Sequence, residues 1–182
     1  KRHAKGYLIM LVNSNHIMLA CVLNLIIYFN FFPNLGLDVS AEEATLPLPR
    51  FVSLRAIQVN LRTGPGVQYP VEWVYQRQNL PVEIIAEYRT WRKIRDWQST
   101  QGWVHQSMLS GRRTLIVTGK RRSLRSSANA KSTPVAEIEV AAIANLENCP
   151  SGGGWCLVKT ESFSGWLRKV EFWGAYRDEV LK

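Results

Sequence analysis

Histidine and cysteine are scarce in this sequence, three of each among 182 residues. Metal centres need clustered ligands of those types, and no cluster with ligand spacing is present. Past residue 41 the only histidine is His105, and no Ser/His/Asp set has supporting spacing. No catalytic residue, metal or cofactor is therefore expected. Helical stripes are missing as well, which leaves strands as the working element. Eight prolines and twelve glycines are too few for a collagen-like or low-complexity chain.

Acidic residues are also short, 14 against 23 Lys and Arg, for a formal net charge of +9. The imbalance is local: 50–122 holds 13 basic and 4 acidic residues, whereas 123–182 holds 7 of each. A basic region can meet nucleic acid, anionic lipid or an acidic polymer, and charge alone does not choose among them. What the chain does have is apolar material, 46% of residues, including seven tryptophans. That is ordinary globular composition, enough for one medium domain or two small ones.

The first forty residues read as an address. Lys1, Arg2 and Lys5 precede an apolar run from Ile17 to Phe32, and Val39-Ser40-Ala41 offers small residues at a signal-peptidase site. The expectation is a signal peptide over 1–41, cleaved after Ala41, or an uncleaved inner-membrane anchor over 17–32. Residues 42–49 follow as a linker. Export to the periplasm removes nucleic acid as a partner and permits a disulfide.

Beyond the linker the chain aligns with itself at an offset of 63 to 64. Leu61-Arg62 recurs as Leu124-Arg125, Pro70-Val71 as Pro134-Val135, Trp91 as Trp155 and Gly102-Trp103 as Gly165-Trp166. Two all-β copies are expected, over 50–118 and 120–176, with a tail at 177–182. Alternation in 58–62 and strand formers in 82–88 supply the strands, and 114–118 is read as closing the first copy. Five or six short strands in about 60 residues imply a small barrel.

The strings Val59-Asn60-Leu61-Arg62-Thr63-Gly64-Pro65-Gly66, Trp91-Arg92-Lys93-Ile94 and Gly102-Trp103-Val104 resemble the bacterial SH3-like domain family. Leu80-Pro81-Val82-Glu83-Ile84-Ile85 and Leu109-Ser110-Gly111-Arg112-Arg113-Thr114 are similar to an exported proteobacterial subgroup with tandem copies. The resemblance implies two SH3-like β-barrels that bind cell-wall peptide or glycan, or another envelope protein, without catalysis of their own.

Candidate contacts follow. Gly64-Pro65-Gly66 suits a type II turn with Gly66 at positive φ, opening a loop from Thr63 to Glu72 that walls the groove in SH3-like barrels. Lacking those glycines, the second copy is expected to turn differently. Tyr69, Tyr75 and Trp97 occur in the first copy only and are expected as exposed aromatics that stack on sugar or proline. Trp91 and Trp103 recur in both copies, which favours core packing over contact, although Trp103 stays a candidate. Arg62 and Arg125 either clamp a carboxylate or form barrel-edge salt bridges. Arg112, Arg113, Lys120, Arg121, Arg122 and Arg125 form a basic run, either a solvated linker or a site for an anionic surface. A Cys156–His105 pair mimics a wall-peptidase dyad, but the two fall in different copies.

Gly152-Gly153-Gly154 lies between strands and is read as a hairpin turn rather than a phosphate cradle. With Ser151–Gly154 as the turn, Cys149 faces Cys156 within disulfide range; the alternative is two free buried thiols. Binding is therefore expected to reside in the first copy, with the second retained for stability.

Overall fold

The computed structural model describes residues 46–182. The expected leader, its cleavage site after Ala41 and the first half of the linker lie outside the described residues. What is described is all strand apart from two single 3-10 turns and the loops. No helix among the described residues is long and apolar enough to cross a membrane.

The first barrel comprises β1 (Arg50–Leu54), β2 (Val59–Arg62), β3 (Val71–Tyr75), β4 (Pro81–Tyr88), β5 (Trp91–Arg95), β6 (Gln101–His105), a 3-10 turn (Gln106–Met108) and β7 (Leu109–Ser110). The second repeats it with β8 (Thr114–Val117), β9 (Arg122–Arg125), β10 (Pro134–Ile138), β11 (Ile143–Asn148), β12 (Trp155–Lys159), β13 (Ser164–Arg168), a 3-10 turn (Lys169–Glu171) and β14 (Phe172–Trp173). The strand orders, β3-β2-β6-β5-β4-β1-β7 and β10-β9-β13-β12-β11-β8-β14, are the same path walked twice.

Alternation explains how such short strands hold. In β2, Val59 and Leu61 are buried while Asn60 faces out, the period-2 pattern of a sheet with one wet face. Leu54, Leu61, Leu80, Val82, Ile94 and Val104 fill the first core; Leu124, Leu146, Val158 and Leu167 fill the second. The repeated Gly-Trp pairs have a packing cause. A Cβ on Gly102 would meet the Leu61 side chain at 2.5 Å, and one on Gly165 would meet Leu124 and Val135 at 2.9 Å.

Three boundaries differ from expectation. Thr114–Val117 does not close the first barrel; it is the opening strand of the second, paired with β11 and β14. The first barrel closes on its own short β7, which pairs with β1. The equivalence of β1 and β8 is hard to read because their residues share types but almost no identities. The basic run is consequently no linker, since Arg122 and Arg125 sit on β9. Nor is 177–182 a loose tail. Cys149 and Leu181 exchange two backbone hydrogen bonds, Leu181 packs on the second core, and Lys169 Nζ donates to the carbonyls of Arg177 and Glu179.

β8 is buried on both faces, which no wet-faced strand would be. Leu115 and Val117 enter the second core, while Ile116 enters the first. Thr114 Oγ1 donates to the Asn79 carbonyl at 2.8 Å. Across the same seam Phe51 meets Trp173 edge-on at 4.8 Å and Tyr176 at 4.7 Å, while Tyr176 donates to Glu83. Arg113 lies over Phe51 and pairs with Glu179. Aromatic contacts of this kind add roughly 0.5–1.5 kcal/mol each beyond burial, so the seam is a built interface rather than a hinge.

The cysteines are joined, with Cα atoms 4.2 Å apart. A bulge in β11 shifts its pairing with β12 so that Asn148 faces Leu157. Extending that register places Cys149 opposite Cys156. Gly152 and Gly154 of the connecting turn take φ of +77° and +61°, which glycine adopts without steric cost.

Candidate functional site

An open groove crosses the first barrel, lined by Gln58, Asn60, Arg62, Val67, Trp91, His105 and Met108. Each wall has a local cause. Asn60 lies on the outward face of β2, between the buried Val59 and Leu61. Trp91 and His105 are cross-strand partners at the ends of β5 and β6, their rings edge-to-face at 5.5 Å. Met108 comes from the 3-10 turn, and Val67, from the loop after β2, is 76% exposed. His105 Nδ1 is held by Ser107, whose N–H donates to it.

The loop over this groove is set by hydrogen bonds. Thr63 N–H donates to the Pro70 carbonyl, Gly66 N–H to Gly64, and Tyr69 N–H to Gly66. The Arg62 guanidinium donates to the carbonyls of Val67 and Tyr69 at 3.1 and 2.8 Å. Arg62 thus positions the loop and forms no barrel-edge ion pair among the described residues. Gly66 does not take positive φ, so the expected type II geometry is absent. Gly64 is needed for space, because a Cβ there would sit 2.4 Å from the Tyr69 ring.

The remaining candidates separate. Tyr69 is 40% exposed with its ring on Gly64, and Thr63 is exposed beside it. Trp103, half-buried, sits opposite Arg62 in the sheet. Tyr75 is not an exposed aromatic: it ends β3 inside the core at 5% exposure. Its hydroxyl donates to Asp96 at 2.9 Å; burial, then the Asp96 charge, hold the phenol far above its usual range. Trp97 packs against the same core. Tyr75 was misplaced because β3 extends into what reads as loop, and Trp97 because the turn between β5 and β6 folds its ring back onto the core. Trp91 errs the other way: recurrence suggested core, yet it walls the groove. Cys156 is disulfide-bonded and has no thiol to pair with His105.

The second barrel repeats the groove. Its walls include Arg121, Ser123, Arg125, Ala130, Trp155, Arg168 and Glu171, the offset-63 or -64 equivalents of all seven first-groove residues. Its loop also turns the same way without glycine. Ser126 N–H donates to Thr133, Asn129 N–H to Ser127 and Ser132 N–H to Asn129, while Arg125 donates to the Ser132 carbonyl at 2.7 Å. The expected loss of this turn does not occur, because the pattern never needed positive φ. Lys120 and Arg122 also line this groove. Of the basic run, Arg113 is committed to the seam and Arg121 pairs with Glu139.

Residues 56–111 match the bacterial SH3 domain family. The match lies wholly in the first barrel and contains every wall of its groove. The second SH3-like barrel follows from the repeated strand order and loop hydrogen bonds. Among curated proteins none matches the chain. Two solved structures are similar to it, NlpC1 and NlpC2 from Trichomonas vaginalis, at 10% and 9% identity and a TM-score of 0.33 each. The alignments cover 71% and 70% of this chain but 47% and 49% of theirs, so the chain spans about half the length of those two proteins.

Proposed function

We propose that the chain is a non-catalytic envelope binding module, exported to the periplasm, whose first SH3-like barrel recognises cell-wall peptide or glycan. The observation that carries this reading is the first groove itself. It is open and shallow, and it combines an indole, an imidazole, a thioether and two amide side chains. Its one guanidinium is spent on holding the loop. Such a surface stacks on a sugar ring or an uncharged peptide and offers amide hydrogen bonds at the edge. The family match over the first barrel supports the same reading. The experiment is an NMR titration of the full chain with muropeptides: shifts confined to Trp91, His105 and the 63–69 loop are expected, and a spectrum unchanged at millimolar ligand overturns it.

A second reading, docking of another envelope protein, is favoured by one observation. β3 is an edge strand on which Val71, Trp73 and Val74 are all exposed, Trp73 at 56%. An apolar unpaired edge accepts an added strand from a partner. Trp73→Lys abolishing retention of an envelope protein, with muropeptide shifts intact, would move the function to that edge.

A further inference from the structure

The second groove has the walls of the first but different chemistry. Gln58 is replaced by Arg121, His105 by Arg168 and Met108 by Glu171. Most telling is Arg122, which stands at the register position of Val59, a core residue at 1% exposure. The pairings Val59 with Tyr75 and Arg122 with Ile138 fix the equivalence. A guanidinium at a former core position is costly unless it is satisfied, yet Arg122 Nε is buried without a hydrogen-bond partner. Its nearest carboxylate, Glu171, is 3.8 Å away and already taken by Arg168 through both Nε and Nη2. Arg122 therefore shares its one nearby carboxylate with Arg168, its Nη2 donating only at 3.4 Å to the Thr118 carbonyl, and Lys120 pairs with no carboxylate among the described residues.

We propose that this groove is a separate binding site for an acidic peptide, its carboxylates seated on Lys120 and Arg122 and its backbone against Trp155, while Arg125 holds the loop as Arg62 does in the first barrel. Three features select that occupant. The cleft is about 280 Å³, which seats the side chains of one or two residues. The satisfied guanidinium groups here, Arg168 and Arg121, are both filled by carboxylates, from Glu171 and Glu139, so the geometry already accepts that group. Glu171 in the wall repels a phosphate dianion more than a carboxylate monoanion. The site is distinct from the wall-binding groove, and the two together make the chain bivalent.

The test is fluorescence anisotropy of the full chain with a labelled acetyl-Glu-Ala-Glu-Ala amide and its Gln counterpart, at fixed salt. The Glu peptide is expected to bind at least tenfold more tightly. A Lys120→Gln, Arg122→Gln double variant with an unchanged melting temperature should lose that preference, whereas Lys159→Gln, a cation outside the groove, should keep it. Lys120→Gln alone, a change at an exposed residue, should weaken binding about threefold and serves if the double variant unfolds. Equal binding of the two peptides overturns the proposal. So does a preference for polyphosphate or phosphatidylglycerol vesicles, or a folded double variant that still discriminates.

Discussion

The two barrels share a strand order, a loop hydrogen-bond pattern and a guanidinium that ties the loop to the sheet, yet they share little of what faces the groove. Seven wall positions correspond one to one. In the first barrel they are amide, apolar and aromatic apart from Arg62; in the second, Lys120 and Arg122 join them to make five cations against one carboxylate. The lesson is that the scaffold of this fold is carried by backbone geometry and buried aliphatics, which leaves the outward β2 and β9 faces free to diverge. Loss of glycine from a loop did not mean loss of the loop.

The comparison breaks most visibly at the seam. Ile116 belongs to the second barrel by chain order and to the first by packing, so Ile116→Ala should cost about 2–5 kcal/mol and destabilise both barrels together. Urea unfolding followed at Trp91 and Trp155 by site-specific NMR should give one coincident transition, and two separate midpoints would show that the barrels are independent. Next comes the disulfide, which only the second barrel has. Opening it should cost roughly 2–3 kcal/mol for a loop of this length, read as a lower melting temperature after reduction.

Glu179 sharpens the same contrast through pH. Burial pushes its carboxyl up, but the Arg113 hydrogen bond, the Tyr176 N–H and the charges of Arg113 and Lys169 outweigh that and hold it below its usual value of 4.5. The folded chain therefore binds this proton less readily than the unfolded chain. Its contribution is complete above the ordinary carboxylate range and disappears as pH falls through the folded value. Glu179→Gln should lower the melting temperature at pH 7, and that gap should shrink as pH falls below the ordinary carboxylate range; a gap independent of pH would refute the ion pair's role. The smallest effect lies at Asn79 and Ala141, equivalent turn positions with φ of 60° and 61°. Alanine is strained there and asparagine tolerates it, so Ala141→Asn should add about 0.5–1 kcal/mol and Asn79→Ala should remove a similar amount, by thermal melts.

Much of the fold was open to reading from the residues. The 63-to-64 offset exposed the duplication because the Gly-Trp pairs are packing requirements and cannot drift, and the triglycine turn set the cysteine pairing. The boundary was missed because β1 and β8 retain only apolar type, and a strand buried on both faces has no alternation to betray which barrel owns it. Site residues were harder. Of the groove walls Arg62 was reached through the loop, but Trp91, His105 and Met108 were not, although Trp91 opposite His105 and the outward side of Gln58, Asn60 and Arg62 follow from strand period alone. Tyr75 was misjudged because one residue at the end of an edge strand can turn from solvent into the core.

The sharing of β8 also bears on when each core is complete during synthesis. A chain that emerges from its N-terminus has every strand of the first barrel available once Ser110 is free, but that barrel's core still lacks Ile116. The missing side chain arrives on a strand whose own partners, β11 and β14, are not made until dozens of residues later. The first barrel can pair all its own strands at that point, but its core stays one aliphatic side chain short until β8 is in place. Until then the apolar surface left bare lies along Phe51 and the place that Ile116 fills.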